Sequence, residues 1–134
     1  MTKEFINPES LFSTLQHGFS QIVTATGQKT IYISGQTAWN HEKQIVGQDL
    51  GTQAKQALSN VQLAVVAGGG SLADIVSLRI YIVNYIPEAG SVISGVLKEF
   101  FPGNQRPAST WIGVSCLASP EFMIEIEATA VVSQ

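Results

Sequence analysis

The chain is short of charge, of cysteine and of clustered basic residues. Only 13% of its 134 residues are charged, and they sum to a formal net charge of −3. Its seven lysines and arginines are scattered. Binding along a phosphate backbone needs a concentrated basic stripe, so no nucleic-acid partner is expected. A single cysteine, Cys116, excludes an intrachain disulfide, and the N-terminus carries no signal-peptide pattern. Both fit a reducing, cytoplasmic setting. No apolar run approaches the roughly 20 residues of a membrane span, so no membrane partner is expected either. The two histidines, His17 and His41, have no second His, Cys or carboxylate at ligand spacing. They read as surface histidines, and no metal is expected. Gly68-Gly69-Gly70 follows a helical pattern and lacks a Lys-Ser/Thr signature, so it reads as a helix stop rather than a phosphate loop. No cofactor is implied.

Apolar residues, by contrast, are abundant: 45% of the chain is hydrophobic and its mean hydropathy is +0.20. A domain of this size has a limited interior, so part of that apolar surface is expected in contacts between copies of the chain. With no linker, repeat or low-complexity tract, residues 1–134 read as one domain.

Strand-like stretches rich in Ile, Val, Thr and Tyr cover 18–26 and 29–38, with Thr26-Gly27-Gln28 as the turn between them. Trp39 to Gln44 reads as a second hairpin loop. A helix follows from an Asp49 cap, with Leu50, Ala54, Ala57, Leu58, Val61, Ala64 and Val65 at helical spacing. Ser71 to Asp74 has the spacing of a capped turn, and Ile75 to Val83 reads as a strand. Pro87 opens a second helix that Pro102-Gly103 ends. Strands over roughly 108–116 and 122–132 complete the order ββ(β)-α-β-α-β-β. That order predicts an α+β protein, with a mixed six-stranded sheet and two helices on one face. The bare face again asks for a partner subunit.

Several residues could carry chemistry. Glu125 and Glu127 are two apart, so in a strand they share a face with Met123 and Thr129. The alternative is a plain solvated face. Ser109, Trp111, Gly113 and Ser115 share one parity of the preceding strand, giving hydroxyls, a gap and one large ring. Hydroxyls and a ring beside a carboxylate make a small-ligand pocket. Ser34-Gly35-Gln36 breaks a strand run with a glycine, which marks either a bulge or a close approach. Cys116, beside Val114 and Leu117, reads as core.

These segments together resemble the Rid (reactive intermediate deaminase, YjgF-like) family. The resemblance rests on Gly18-Phe19-Ser20-Gln21, Ser34-Gly35-Gln36, Gln53, Ala57-Leu58, Asn60, Ala67-Gly68, Leu72 and Asp74. It continues through Phe100-Phe101, Pro107-Ala108, Thr110, Val114, Leu117 and Glu125 to Ala128. It implies a chorismate-mutase-like fold, a homotrimer and ligand clefts between subunits. In the catalytic branch of the family, imines and enamines of small 2-oxo acids are hydrolysed with release of ammonia, and an arginine holds the substrate carboxylate. Here that arginine position is Ser109, the usual asparagine on the second helix is Ser94, the motif tyrosine is Phe19, and a usually small residue is Trp111. Ser34, Gly35 and Glu125 are kept. The resemblance therefore makes Glu125 the catalytic candidate. The ligand-binding set is Phe19, Ser34, Gly35, Ser94, Ser109 and Trp111, with Arg106 either reaching in from the loop before Pro107 or, three residues from Ser109 and on the opposite face of an extended strand, serving as a loop charge or an intersubunit ion pair. The ligand is a small carboxylate or an aromatic metabolite. Two activities stay open: imine or enamine hydrolysis with an altered substrate, or metabolite binding without catalysis.

Overall fold

Asp49 shows how directly the chain writes its own elements. In the computed structural model, which describes residues 2–133, its carboxylate accepts the Thr52 N–H at 2.8 Å and starts a helix over Leu50–Ala67 (α1). That hydrogen bond holds the Asp49 carboxyl below its ordinary pKa. Pro87 opens the second helix, Pro87–Phe100 (α2), where its missing N–H has no partner to lose. The capped turn at Ser71 forms as a reciprocal capping box with Asp74. The strands are β1 (Thr2–Ile6), β2 (Ile22–Thr26), β3 (Lys29–Gln36), β4 (Ile75–Val83), β5 (Ala108–Val114) and β6 (Ile124–Val132). No described helix is long and apolar enough to cross a membrane.

The six strands form two ladders. One has the order β3-β6-β4-β5, with β4 and β5 parallel and the other pairs antiparallel. The other is the β1-β2 hairpin, joined to the first by a single bridge between Ser20 and Ala108. Along β6 burial alternates without a break: Ile124, Ile126, Ala128, Ala130 and Val132 are buried and the residues between them are half-buried. The buried set meets Ile33, Leu78, Ile80 and Ile82 of the neighbouring strands and both helices' apolar stripes in one core. Each such Ile or Leu contributes about 1.5–3 kcal/mol by leaving water. Both helices thus lie over one face. On the opposite face Tyr32 is 82% exposed, and the Tyr81 hydroxyl donates to Glu127 Oε1 at 2.7 Å. That hydrogen bond to a carboxylate holds the Tyr81 phenol above its ordinary pKa.

Two expectations need correction, and one strand lies outside them. The strand expected from residue 18 begins at Ile22, because Leu15–His17 forms a 3-10 turn closed by Gly18 at φ +99°. A side chain on Gly18 would press on Leu97 Cβ and the Ser94 carbonyl, each 3.1 Å away, so the turn needs glycine there. The N-terminal strand β1 was not foreseen; its antiparallel register runs from Thr2 opposite Thr26 to Ile6 opposite Ile22. Cys116 lies beyond the end of β5 and is exposed rather than part of the core.

Candidate functional site

The residues singled out in the sequence gather in two places. The first is built around a β-bulge. Between the pairs Ile33–Ala128 and Gln36–Ile126, Ser34 and Gly35 together oppose the single residue Glu127. The bulge lets the Glu125 side chain lie directly on Gly35. A Cβ at residue 35 would sit 2.7 Å from Glu125 Cδ and 2.8 Å from its Cγ. The sequence left bulge and close approach as alternatives; both occur. Ser34 stands exposed on the bulge, its carbonyl accepting from Gln36 Nε2 at 3.1 Å.

Two amides of α1 fix the surroundings of Glu125. Gln53, 2% exposed, donates to the carbonyls of Gly47 and Glu121 and accepts the Met123 N–H at 2.9 Å. Asn60 donates to the carbonyls of Thr37 and Trp39 at 2.9 and 2.8 Å. One helix therefore ties down both the loop entering β6 and the loop leaving β3. Trp39 and Phe122 close one wall edge to face, with ring centroids 4.8 Å apart. The result is a cavity of about 550 Å³ bordered by Gly35, Gln36, Asn60 and half-buried Glu125. Neither Gln53 nor Asn60 had been assigned a role. The signal was there: an amide inside the apolar stripe of a helix needs a partner elsewhere.

The second place gathers Phe19, Ser94, Ser109 and Trp111, with His17 and Tyr85, around a cavity of about 570 Å³. Trp111 Nε1 donates to Ser109 Oγ at 2.8 Å, so the Ser109 hydroxyl accepts from an indole. Phe19 meets the Trp111 ring edge to face at 5.5 Å. No Lys, Arg, Asp or Glu borders this cavity.

Arg106 is not among the residues brought to either cavity. It is 8% exposed, its Nε donating to the Phe101 carbonyl at 2.7 Å and its Nη1 to the Leu15 carbonyl at 3.1 Å. Its expected place in the ligand-binding set is corrected accordingly. The guanidinium turns inward and joins the end of α2 to the 3-10 turn.

The Trp111 and Glu125 side chains lie on opposite faces of the sheet, although Gln56, Asn60 and Leu63 of α1 also border the Glu125 cavity. Ile80 pairs with both Trp111 and Ile126, placing Trp111 and Ser109 on the helix-covered face. Tyr81 pairs with both Ile112 and Glu125, placing the carboxylate on the other. Parity within each strand was readable in the sequence. The alignment of β5 with β6, which passes through β4, was not.

Comparison with known proteins gives one consistent picture. The family model described as endoribonuclease L-PSP matches residues 13–132. A Dermatophagoides farinae protein named 2-iminobutanoate/2-iminopropanoate deaminase is 33% identical over 104 residues, covering 77% of this chain and 78% of its own. The crystal structure of YyfB from Yersinia pestis, of the conserved Rid protein family, superposes with a TM-score of 0.94 at 40% identity, over 98% of this chain and 100% of that one. Escherichia coli TdcF, solved with bound serine, superposes with a TM-score of 0.69 at 30% identity, over 86% and 88%.

Proposed function

Because the chain belongs to the Rid (YjgF-like) family, the group matched by the endoribonuclease L-PSP model, we propose that it hydrolyses imines or enamines in a cleft shared between copies of itself. One protomer contributes the Glu125 half and its neighbour the Phe19–Trp111 half, within a cytoplasmic homotrimer. The observation that carries this reading is the separation of the two halves by the sheet. A single chain cannot present them to one small molecule, whereas a second copy docked on the uncovered face can.

In the proposed reaction Glu125, half-buried against Gly35, orients a water that attacks the C=N carbon. The water oxygen bonds to that carbon, its protons pass to the nitrogen, and collapse of the carbinolamine expels ammonia and leaves the carbonyl compound. The deaminase name of the mite relative supports this chemistry. Ser109 and Trp111 set a substrate preference different from that of relatives with arginine. Amino-acid oxidases generating a panel of imines, coupled to ammonia detection, test it. Release faster than in buffer for at least one imine is expected, and no acceleration across the panel removes the activity.

Metabolite binding without catalysis is the second reading, favoured by one observation: no cationic Lys or Arg borders the aromatic cavity. Thermal stabilisation by small or aromatic acids, with no ammonia release from the matching imines, selects it. Nucleic-acid cleavage, the activity in the name of the matched family model, is set aside because the net charge is −3 and the basic residues are scattered.

A further inference from the structure

The aromatic cavity has lost its arginine and yet keeps one side chain able to carry positive charge. Ser109 occupies the arginine position and is engaged by Trp111, and Arg106 is buried on two carbonyls. Among the residues bordering the cavity only His17 can be cationic near neutral pH.

His17 is also held in place. Its N–H donates to the Thr14 carbonyl at 2.9 Å, and the next residue, Gly18, packs against α2. The Arg106 guanidinium holds the Leu15 carbonyl of the same turn, and the Thr14 hydroxyl donates to the Phe19 carbonyl at 2.9 Å. The side chain itself is exposed. A rigid turn thus delivers an accessible imidazole to a wall otherwise made of rings and hydroxyls.

We propose that His17 is the carboxylate-recognising residue of this cavity, and that the ligand is a small carboxylate whose apolar or aromatic part packs on Phe19 and Trp111. This rests on reading the cavity as the binding half of the proposed site. The imidazolium forms a charge-assisted hydrogen bond to the carboxylate, the role a guanidinium fills in relatives with arginine. The hydroxyls of Ser91 and Ser94 remain for the other polar atoms of the ligand.

The charged groups on α2, which packs on this turn, are Glu88, Lys98, which passes beside Gly18, and Glu99, which pairs with Lys55; Arg106 holds the turn itself, and Tyr85 is the other titratable group on the cavity wall. Lysine and arginine side chains keep their charge between about pH 6 and 8, and tyrosine stays neutral there.

Benzoate and benzamide share a ring and differ in charge, so calorimetric titration of the full-length chain with each is the direct test. At about pH 6, where histidines as a class begin to gain charge, benzoate should bind roughly tenfold more tightly than benzamide, the margin of a charge-assisted hydrogen bond over a neutral one. In His17→Gln the advantage should vanish while benzamide binding stays constant. Thermal melting checks that the variant folds. A benzoate preference unchanged in His17→Gln, or the absence of any benzoate binding at about 10 mM, overturns the assignment. Benzoate carries no imine, so the two readings fail separately. Binding through His17 without ammonia release from any imine keeps this assignment and removes the hydrolase. Ammonia release indifferent to His17→Gln does the reverse.

Discussion

The Glu125 cavity and the Trp111 cavity are nearly equal in size, about 550 and 570 Å³, and differ in how they are held. Around Glu125 the support comes from the backbone: a bulge, a glycine under the carboxylate, and two helix amides on five main-chain groups. Around Trp111 it comes mainly from side chains that touch one another, Ser109 to Trp111 to Phe19. A site held by main chain tolerates little change, because moving one group moves the strands. A site held by side chains can exchange them locally. On the proposed function, the carboxylate half would then keep one chemistry, and the aromatic half would be where ligand preference can drift.

The largest effect that tests this division is loss of the carboxylate. Glu125→Gln should lower ammonia release by about 10²–10⁴, the usual contribution of a positioned acid–base group, with an unchanged melting temperature. Retention of activity would place the chemistry elsewhere and reduce the contrast to one of architecture.

Arg106→Met comes next and concerns stability rather than binding. The substitution leaves the Phe101 carbonyl without its donor, while the Leu15 carbonyl keeps the Gly18 N–H, and a buried polar group so abandoned costs about 1–3 kcal/mol. Urea denaturation should show a loss of about 1–3 kcal/mol, with ligand affinity of the folded protein little changed. A selective loss of carboxylate affinity at constant stability would return Arg106 to the binding set.

Arg106 also marks where sequence reading stops. The alternating pattern of β6, the Asp49 cap, the Pro87 helix start and the Ser71–Asp74 capping box are local, and the chain states them within a few residues. Glu125 and the Ser34-Gly35 interruption were legible for the same reason. What was not legible depends on distant groups. Arg106 points to a carbonyl 91 residues away in sequence, and Gln53 reaches a loop 70 residues on. Whether Ser109 and Glu125 share a face is decided by a third strand between them. His17 looked isolated because its neighbours in the cavity come from α2 and β5.

Introducing a cation at residue 109 should blur the difference between the halves. Ser109→Arg places a guanidinium on the wall of the aromatic cavity, and a charge-assisted pair should raise benzoate affinity by about tenfold or more. Calorimetry reads the change. An affinity that does not rise would mean that the Trp111 ring fills the space the carboxylate needs.

That last possibility sets the smallest and most local prediction, Trp111→Phe. The change keeps an aromatic edge against Phe19 but removes the indole N–H that engages Ser109 Oγ. One neutral hydrogen bond contributes about 0.5–1.5 kcal/mol, so urea denaturation should show a loss no larger than that. The freed hydroxyl can then turn toward the cavity. Benzamide, which offers both a donor and an acceptor, should gain affinity more than benzoate. If the side-chain-held half is as independent as its contacts indicate, ammonia release by Glu125 on the other side of the sheet should keep its kcat and change only in KM. A fall in kcat instead would mean that the indole positions the substrate for attack, coupling through the ligand two cavities that share no wall within one chain.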